Sequence, residues 1–187
     1  MVCSGGFVLG HLKPKTKPNK HLELGVKMAK VLISYYSKGG NTRKMADMLA
    51  KGLEAQGVEV VLKKVAETTP ADMAAADGIL LGSPCYFGNM ATPMKELVDQ
   101  SIQVFGKGEL VGKPAGAFVS TGGIGGCGEV ALMSLVTAMM IHGMVAMGSR
   151  KGGHLGPLAI GEPDERVVNE CQMYAELFAN LVKKLAA

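Results

Sequence analysis

The chain has 187 residues, 48% of them apolar and 19% charged, which is the make-up of one globular domain able to bury a full-sized core. That apolar content excludes disorder over the whole length. The formal charge of +4 sits at the start: residues 1–27 hold Lys13, Lys15, Lys17, Lys20 and Lys27 against Glu23, while from Met28 onward 15 basic residues face 15 acidic ones.

A neutral body carries no field for a polyanion, so nucleic acid is not an expected partner. The segment KPKTKPNK, with Pro14 and Pro18 between lysines, reads as an extended arm. The expected organisation is therefore a mobile basic extension over residues 1–27 and a domain over 28–187. MVCSGGFVLG has no basic start and only a short apolar run, so secretion is not signalled. A cytoplasmic setting is expected.

The first element is AKVLISYY at 29–36, whose near-continuous apolar run suits a parallel strand covered on both faces. TRKMADMLAKGLEAQG then places Met45, Met48, Leu49 and Leu53 on one helical stripe that ends at Gly57. VEVVLKK is the second strand, TTPADMAAA supplies a short helix, and DGILLGS at 77–83 is the third strand. NMATPMKELVDQSIQVF carries the third helix, with Thr92 as its cap and Pro93 at its first position.

KPAGAFVS holds the fourth strand, EVALMSLVTAMMIH the fourth helix and MVAMG the fifth strand. The uncharged run 130–148 is long enough to cross a membrane by count. His142-Gly143 divides it into a helix and a strand, so no membrane span is expected. Met133, Met139, Met140, Met144 and Met147 read as flexible core packing. PDERVVNECQMYAELFANLVKK closes the chain as a helix entered through acids and left through lysines, as its dipole favours.

Five strands alternating with five helices are buried by an α/β fold: a doubly wound, five-stranded parallel sheet with helices on both faces. Such a sheet gathers its functional loops at the carboxyl ends of the strands. The unusual residues concentrate in three of those loops, YSKGGNT, SPCYFGNMAT and STGGIGGCG. In the first, Ser37 and Thr42 offer hydroxyls, Gly39 and Gly40 let amides approach, and the following helix aims its unpaired N–H groups at the same spot, which fits a phosphate. No GK[ST] follows, so this is not a nucleotide-hydrolysing loop.

In the second loop, Pro84, Tyr86, Phe87, Gly88 and Asn89 can flank a flat ligand. In the third, Gly123-Ile124-Gly125-Gly126-Cys127-Gly128 matches GxGxxG. Yet the next strand ends in Gly148-Ser149-Arg150 rather than an acid, so the loop reads as close backbone approach to a planar ring. Cys3, Cys85, Cys127 and Cys171 form no metal or disulfide pattern, and Cys127, in a glycine loop, reads as a small residue in a tight turn, with an accessible thiol as the alternative. His142 caps a helix, His154 lies in a glycine-rich rim loop, and no triad order or HxxxH spacing occurs. No metal is expected.

Taken together, these motifs resemble the flavodoxin-like superfamily, and within it the WrbA-type NAD(P)H:quinone oxidoreductases, over about residues 30–184. Ser37-Lys38-Gly39-Gly40-Asn41-Thr42 resembles the FMN phosphate loop. Pro84-Cys85-Tyr86-Phe87-Gly88-Asn89 resembles the loop beside the isoalloxazine, and Ser120-Thr121-Gly122-Gly123-Ile124-Gly125 the loop at its polar edge. His142-Gly143-Met144-Val145 resembles the strand entry of the family.

The resemblance implies FMN as cofactor, NAD(P)H as diffusible reductant and a quinone or similar small acceptor. Hydride would pass to N5 of FMN and two electrons onward from the same face, with no indispensable side-chain acid or base. It also implies a homodimer or homotetramer, although only about a dozen residues separate Val65 from Asp77, where the family carries a longer insertion. A flavodoxin-type carrier moving electrons between redox proteins is the alternative, and the neutral body disfavours it because carriers of that type resemble one another in strongly acidic surfaces.

Overall fold

Alternation in the first strand decides which residues meet which helices. A computed structural model describes residues 28–186, so the expected basic arm at residues 1–27 lies outside the described residues. In β1 (Lys30–Tyr35), Val31, Ile33 and Tyr35 point to one face of the sheet and Leu32 to the other, and all are buried. That is the cause of the near-continuous apolar run: each face has its own cover.

The chain continues through α1 (Asn41–Ala55), β2 (Glu59–Lys64), a 3-10 turn (Val65–Glu67), α2 (Pro70–Ala75) and β3 (Gly78–Tyr86). It goes on through β4 (Asn89–Met90), α3 (Thr92–Gln100), α4 (Ile102–Phe105), β5 (Pro114–Thr121) and α5 (Gly128–Ile141). It ends with β6 (Val145–Ala146), β7 (Leu158–Ile160) and α6 (Glu165–Leu185). The sheet runs β2-β1-β3-β5-β6 with parallel pairing, so the chain winds outward in both directions from β1 and β3.

One face packs Val31, Ile33, Leu80 and Phe118 under Met45, Leu49 and Leu53 of α1 and Val167, Tyr174 and Phe178 of α6. The opposite face packs Leu32, Ile79, Leu81 and Val119 under Met94, Leu97, Leu132, Leu135 and Met139 of α3 and α5. Glycine sets the fit at the centre. A Cβ on Gly82 would stand 2.1 Å from the ring of Phe118, so the missing side chain in β3 is the space that the phenyl group fills.

Three local expectations are corrected. MVAMG does not form a full fifth strand. β6 pairs only with Pro114–Ala115, the chain then leaves the sheet, and β7 returns to pair with Val119–Thr121. The reason is the glycine run: Gly152, Gly153 and Gly156 adopt left-handed φ of 100°, 52° and 135°, which turns the excursion back on itself. Gly156 N–H donates to Gly153 O at 2.7 Å, and Val119 N–H donates to Pro157 O at 3.0 Å to rejoin the sheet.

Thr92 is the first residue of α3, not its cap. Ala91 holds that place without a side-chain bond, and the third helical stretch breaks at Ser101 into α3 and α4. Of the methionines assigned to the core, Met139 and Met144 are buried, but Met133, Met140 and Met147 are 46%, 57% and 37% exposed. The apolar stretch of α5 runs all the way round that helix, and only one side meets the sheet. No helix among the described residues is long and apolar enough to cross a membrane.

Candidate functional site

The loops after β1, β3 and β5 converge. Ser37, Lys38, Gly39, Asn41 and Thr42 from the first, Pro84, Cys85 and Tyr86 from the second, and Ser120, Thr121 and Gly122 from the third line one cleft of about 160 Å³. Because β1, β3 and β5 are adjacent and parallel, their carboxyl ends open on one rim. A wider hollow of about 410 Å³ between α6 and residues 148–151 contains none of these loops.

At the first loop the turn is already held. Gly40 N–H donates to Ser37 Oγ at 3.1 Å, and Gly40 adopts φ 93° directly before α1. That helix begins with no side-chain cap, which leaves first-turn amides free to meet an anion. Thr42 is buried, and its Oγ1 shares a 2.9 Å hydrogen bond with Ser120 Oγ, tying the first loop to the third. A Cβ added at Gly39, Gly40, Gly122 or Gly123 would meet nothing within 4 Å, so this backbone faces open space. Bare backbone, two hydroxyls and a helix start fit a phosphate group.

The second loop is a two-residue hairpin. Tyr86 pairs with Asn89 across it, and its tip residues Phe87 and Gly88 take φ of 50° and 76°. Both central residues at positive φ suit the twist of the flanking strands, but a phenylalanine there is strained by about 1–2 kcal/mol. Phe87 is fully exposed and Tyr86 half exposed. Ser83 Oγ fixes the base of the hairpin by donating to Pro84 O at 2.9 Å and accepting Ala91 N–H at 2.8 Å.

The third loop leaves β5 through Thr121, whose Oγ1 donates to Gly126 O at 3.4 Å. Ile124, in its middle, is 93% exposed. Gly40, Phe87, Gly88, Gly123, Ile124 and Gly125 are outside the lining of the cleft, and Asn89 lines a separate hollow against α3.

The second and third loops meet at Cys85. Its thiol donates to Gly126 O at 3.0 Å and to Cys127 O at 3.4 Å. Burial pushes that thiol above the ordinary cysteine range, and the nearby Cys127 adds to the shift, while backbone N–H groups of Gly88 and Asn89 oppose it. Among the described residues no group of three or more metal-ligating side chains gathers.

His142 caps α5, as its place in the sequence suggests. Its Nε2 bonds Ser101 Oγ at 2.8 Å, its ring meets Phe105 edge-on, and burial lowers its pKa. His154 Nδ1 donates to Ser149 O at 2.7 Å, bracing its own loop.

Sequence reasoning missed Arg43 and Lys64. With Tyr36 and Lys38 they line a second hollow of about 380 Å³ beside the phosphate-fitting turn. Arg43 could have been found as a cation in the first turn of the helix that follows the loop. Lys64 could not, because only the β1–β2 pairing brings it there.

Residues 63–151 match the family model described as NADPH-dependent FMN reductase. A curated protein named flavodoxin, from Aquifex aeolicus, is 41% identical over 145 residues, which cover 73% of this chain and 77% of the relative. The chain belongs to the flavodoxin-like family. FMN-dependent chemistry is the property of that family.

Among solved structures, a flavodoxin described as WrbA-like from Agrobacterium tumefaciens superposes with TM-score 0.72 at 23% identity, covering 84% of this chain and 99% of its own. A flavodoxin from the domain Archaea superposes with TM-score 0.69 at 26% identity, covering 82% and 99%. The first of these likenesses speaks for the flavodoxin-like fold.

Proposed function

We propose that the protein is an FMN-dependent oxidoreductase that passes electrons from NAD(P)H to quinones or similar small acceptors. The observation that carries this reading is the character of the rim. Tyr86, Phe87 and Ile124 stand exposed around the cleft on a body whose charges balance. A flat apolar acceptor can lie against such an edge, whereas a carrier steered to protein partners relies on a face of one sign.

In this reading Ser37, Gly39, Gly40, Asn41 and Thr42 hold the phosphate through backbone amides and hydroxyls, with Lys38 as a peripheral charge. Pro84, Cys85, Tyr86, Phe87, Gly88 and Asn89 flank one side of the ring. Ser120, Thr121, Gly122, Gly123, Ile124 and Gly125 meet its polar edge. Bound FMN supplies the two-electron transfer. The chain fixes the position of the ring, shields it from water with the aromatic pair, and leaves one flank open to reductant and acceptor in turn.

Assembly as a homodimer or homotetramer belongs to the same proposal: Val130, Met133, Met140 and Ile141 leave apolar surface on α5 for another copy to cover. A cytoplasmic setting, with its reducing thiol pool, suits the free cysteines.

A second reading, an electron carrier between redox proteins, draws support from the name of the relative that is 41% identical. Anaerobic mixing of the FMN-loaded protein with NADH or NADPH, followed by a soluble benzoquinone, separates the two. Bleaching of the flavin by the nicotinamide and its recovery on adding quinone are expected. Bleaching only when a separate reductase is supplied sinks the enzyme reading in favour of the carrier.

A further inference from the structure

The cleft has a feature that flavin binding does not require: two cysteines from different loops are neighbours at its edge. Cys85 leaves β3 and Cys127 stands directly before α5, 42 residues apart in sequence. Two observations locate them together. The Cys85 sulfur lies 3.4 Å from the carbonyl oxygen of Cys127 itself. A Cβ on Gly88, whose N–H faces the Cys85 sulfur, would stand 3.6 Å from the Cβ of Cys127. The Cys127 Cβ therefore lies against the hairpin turn that encloses the Cys85 thiol, while the Cys127 thiol donates to Gly125 O at 3.7 Å in its own loop and turns from that contact to meet Cys85.

The environments of the two thiols differ in a useful way. Cys127 is exposed and held at φ 57°, a left-handed conformation uncommon for a residue other than glycine. Cys85 is half-buried and keeps its proton, which it donates to the two carbonyls. Cys171, by contrast, is sealed under α6, and burial pushes its thiol up to about 12. One accessible thiol beside one sheltered thiol is the arrangement of an attacking and a resolving cysteine.

We propose that Cys85 and Cys127 are a redox-active pair that closes into a disulfide by exchange with low-molecular-weight disulfides. In the first step the Cys127 sulfur, having lost its proton, attacks one sulfur of the small disulfide. The S–S bond breaks, one small thiol leaves with a proton, and a mixed disulfide remains on Cys127. In the second step the Cys85 sulfur attacks the Cys127 sulfur, and the second small thiol leaves carrying the Cys85 proton. Two protein thiols are oxidised, one small disulfide is reduced to two thiols, and nothing else is consumed. The bridge tethers the Tyr86–Phe87 hairpin to the start of α5 and closes one flank of the cleft. Reduction of the bridge reopens it.

The test uses the purified full chain equilibrated in glutathione buffers from fully reduced to fully oxidised, then alkylated and mapped as peptides without reduction. The expected result is a peptide pair linking Cys85 to Cys127, lighter by two hydrogen atoms than the separate peptides, with Cys171 alkylated only after unfolding. In a Cys85→Ser variant the reaction should stop at the glutathione adduct on Cys127. A glutathione adduct left standing on Cys127 in the unaltered chain overturns the proposal. So does a bridge from either thiol to any other cysteine, or two thiols that stay free throughout. None of these outcomes depends on flavin or acceptor, so failure here would leave the proposed activity standing.

Discussion

The two ends of the cleft are built differently. At the end proposed for the phosphate the turn is closed by the chain's own bonds: Ser37 holds Gly40, Thr42 holds Ser120, and the backbone at Gly39 and Gly40 faces open space. At the ring end Phe87 and Ile124 stand in solvent, and Phe87 holds a backbone conformation that its side chain disfavours. Anchoring an anion needs fixed donors, because ordering them at the moment of binding would consume the gain. Gripping an apolar ring needs only surface, which the ring itself can gather. With FMN placed as proposed, affinity and access are divided between the two ends.

The largest effect should come from breaking the fixed end. Gly40→Val puts a branched side chain at φ 93° and into the anion space. FMN affinity should fall by at least roughly 100-fold, as when about two charge-assisted hydrogen bonds are lost. Equilibrium dialysis checks this, with Lys38→Ala as the control. Lys38 is exposed and makes none of the bonds that shape the turn, so its removal should cost less than about 1 kcal/mol. Reversal of that order would show that the grip is a side-chain charge rather than backbone.

A middling effect should follow at the other end. Phe87→Asn converts the hairpin tip into Asn-Gly, which favours both left-handed positions. Thermal unfolding of the flavin-free protein should shift upward, by the equivalent of roughly 0.5–1 kcal/mol. FMN affinity and quinone turnover should fall only a few-fold. A large loss of FMN would mean that the ring end anchors as well.

The smallest effect lies away from the cleft and tests whether the scaffold is indifferent to it. Burial lowers the pKa of His142, so the folded state favours the neutral ring. The sign follows: as pH falls below the unfolded value of about 6.5 the unfolded chain takes up the proton first, and stability drops. Above that pH the contribution is fully present. His142→Gln retains a donor for Ser101 and should flatten the fall between neutral pH and pH 5 in denaturant titrations. An unchanged slope would assign the acid sensitivity to other groups.

Much of this was legible in the chain because it depended on local chemistry. The run VLI announced a doubly covered strand, and the glycines and hydroxyls of YSKGGNT announced an anion-ready turn. The convergence of three loops followed from parallel winding alone, whatever the strand order. What escaped depended on distant neighbours. MVAMG has the apolarity of a strand, but whether it pairs is decided by the glycines that follow it and by the competing claim of Leu158–Ile160 on β5. Thr92 has the chemistry of a cap, yet Ala91, one residue earlier, carries the extended backbone that starts the helix. Met133 and Met140 of α5 were misjudged, though Met139 was not, because apolarity on every side does not reveal which side is covered.

The divided fifth strand has one more consequence. A sheet edge that offers a long row of free N–H and C=O groups invites a strand from another chain. Here the far edge is cut into β6 of two residues and β7 of three, with a glycine-turned excursion between them. Neither stub is long enough to template a foreign strand, so the same interruption that defeated the strand reading blunts edge-to-edge aggregation. Changes in the length of the excursion between these stubs should be absorbed without disturbing β1, β3 and the anion turn they carry.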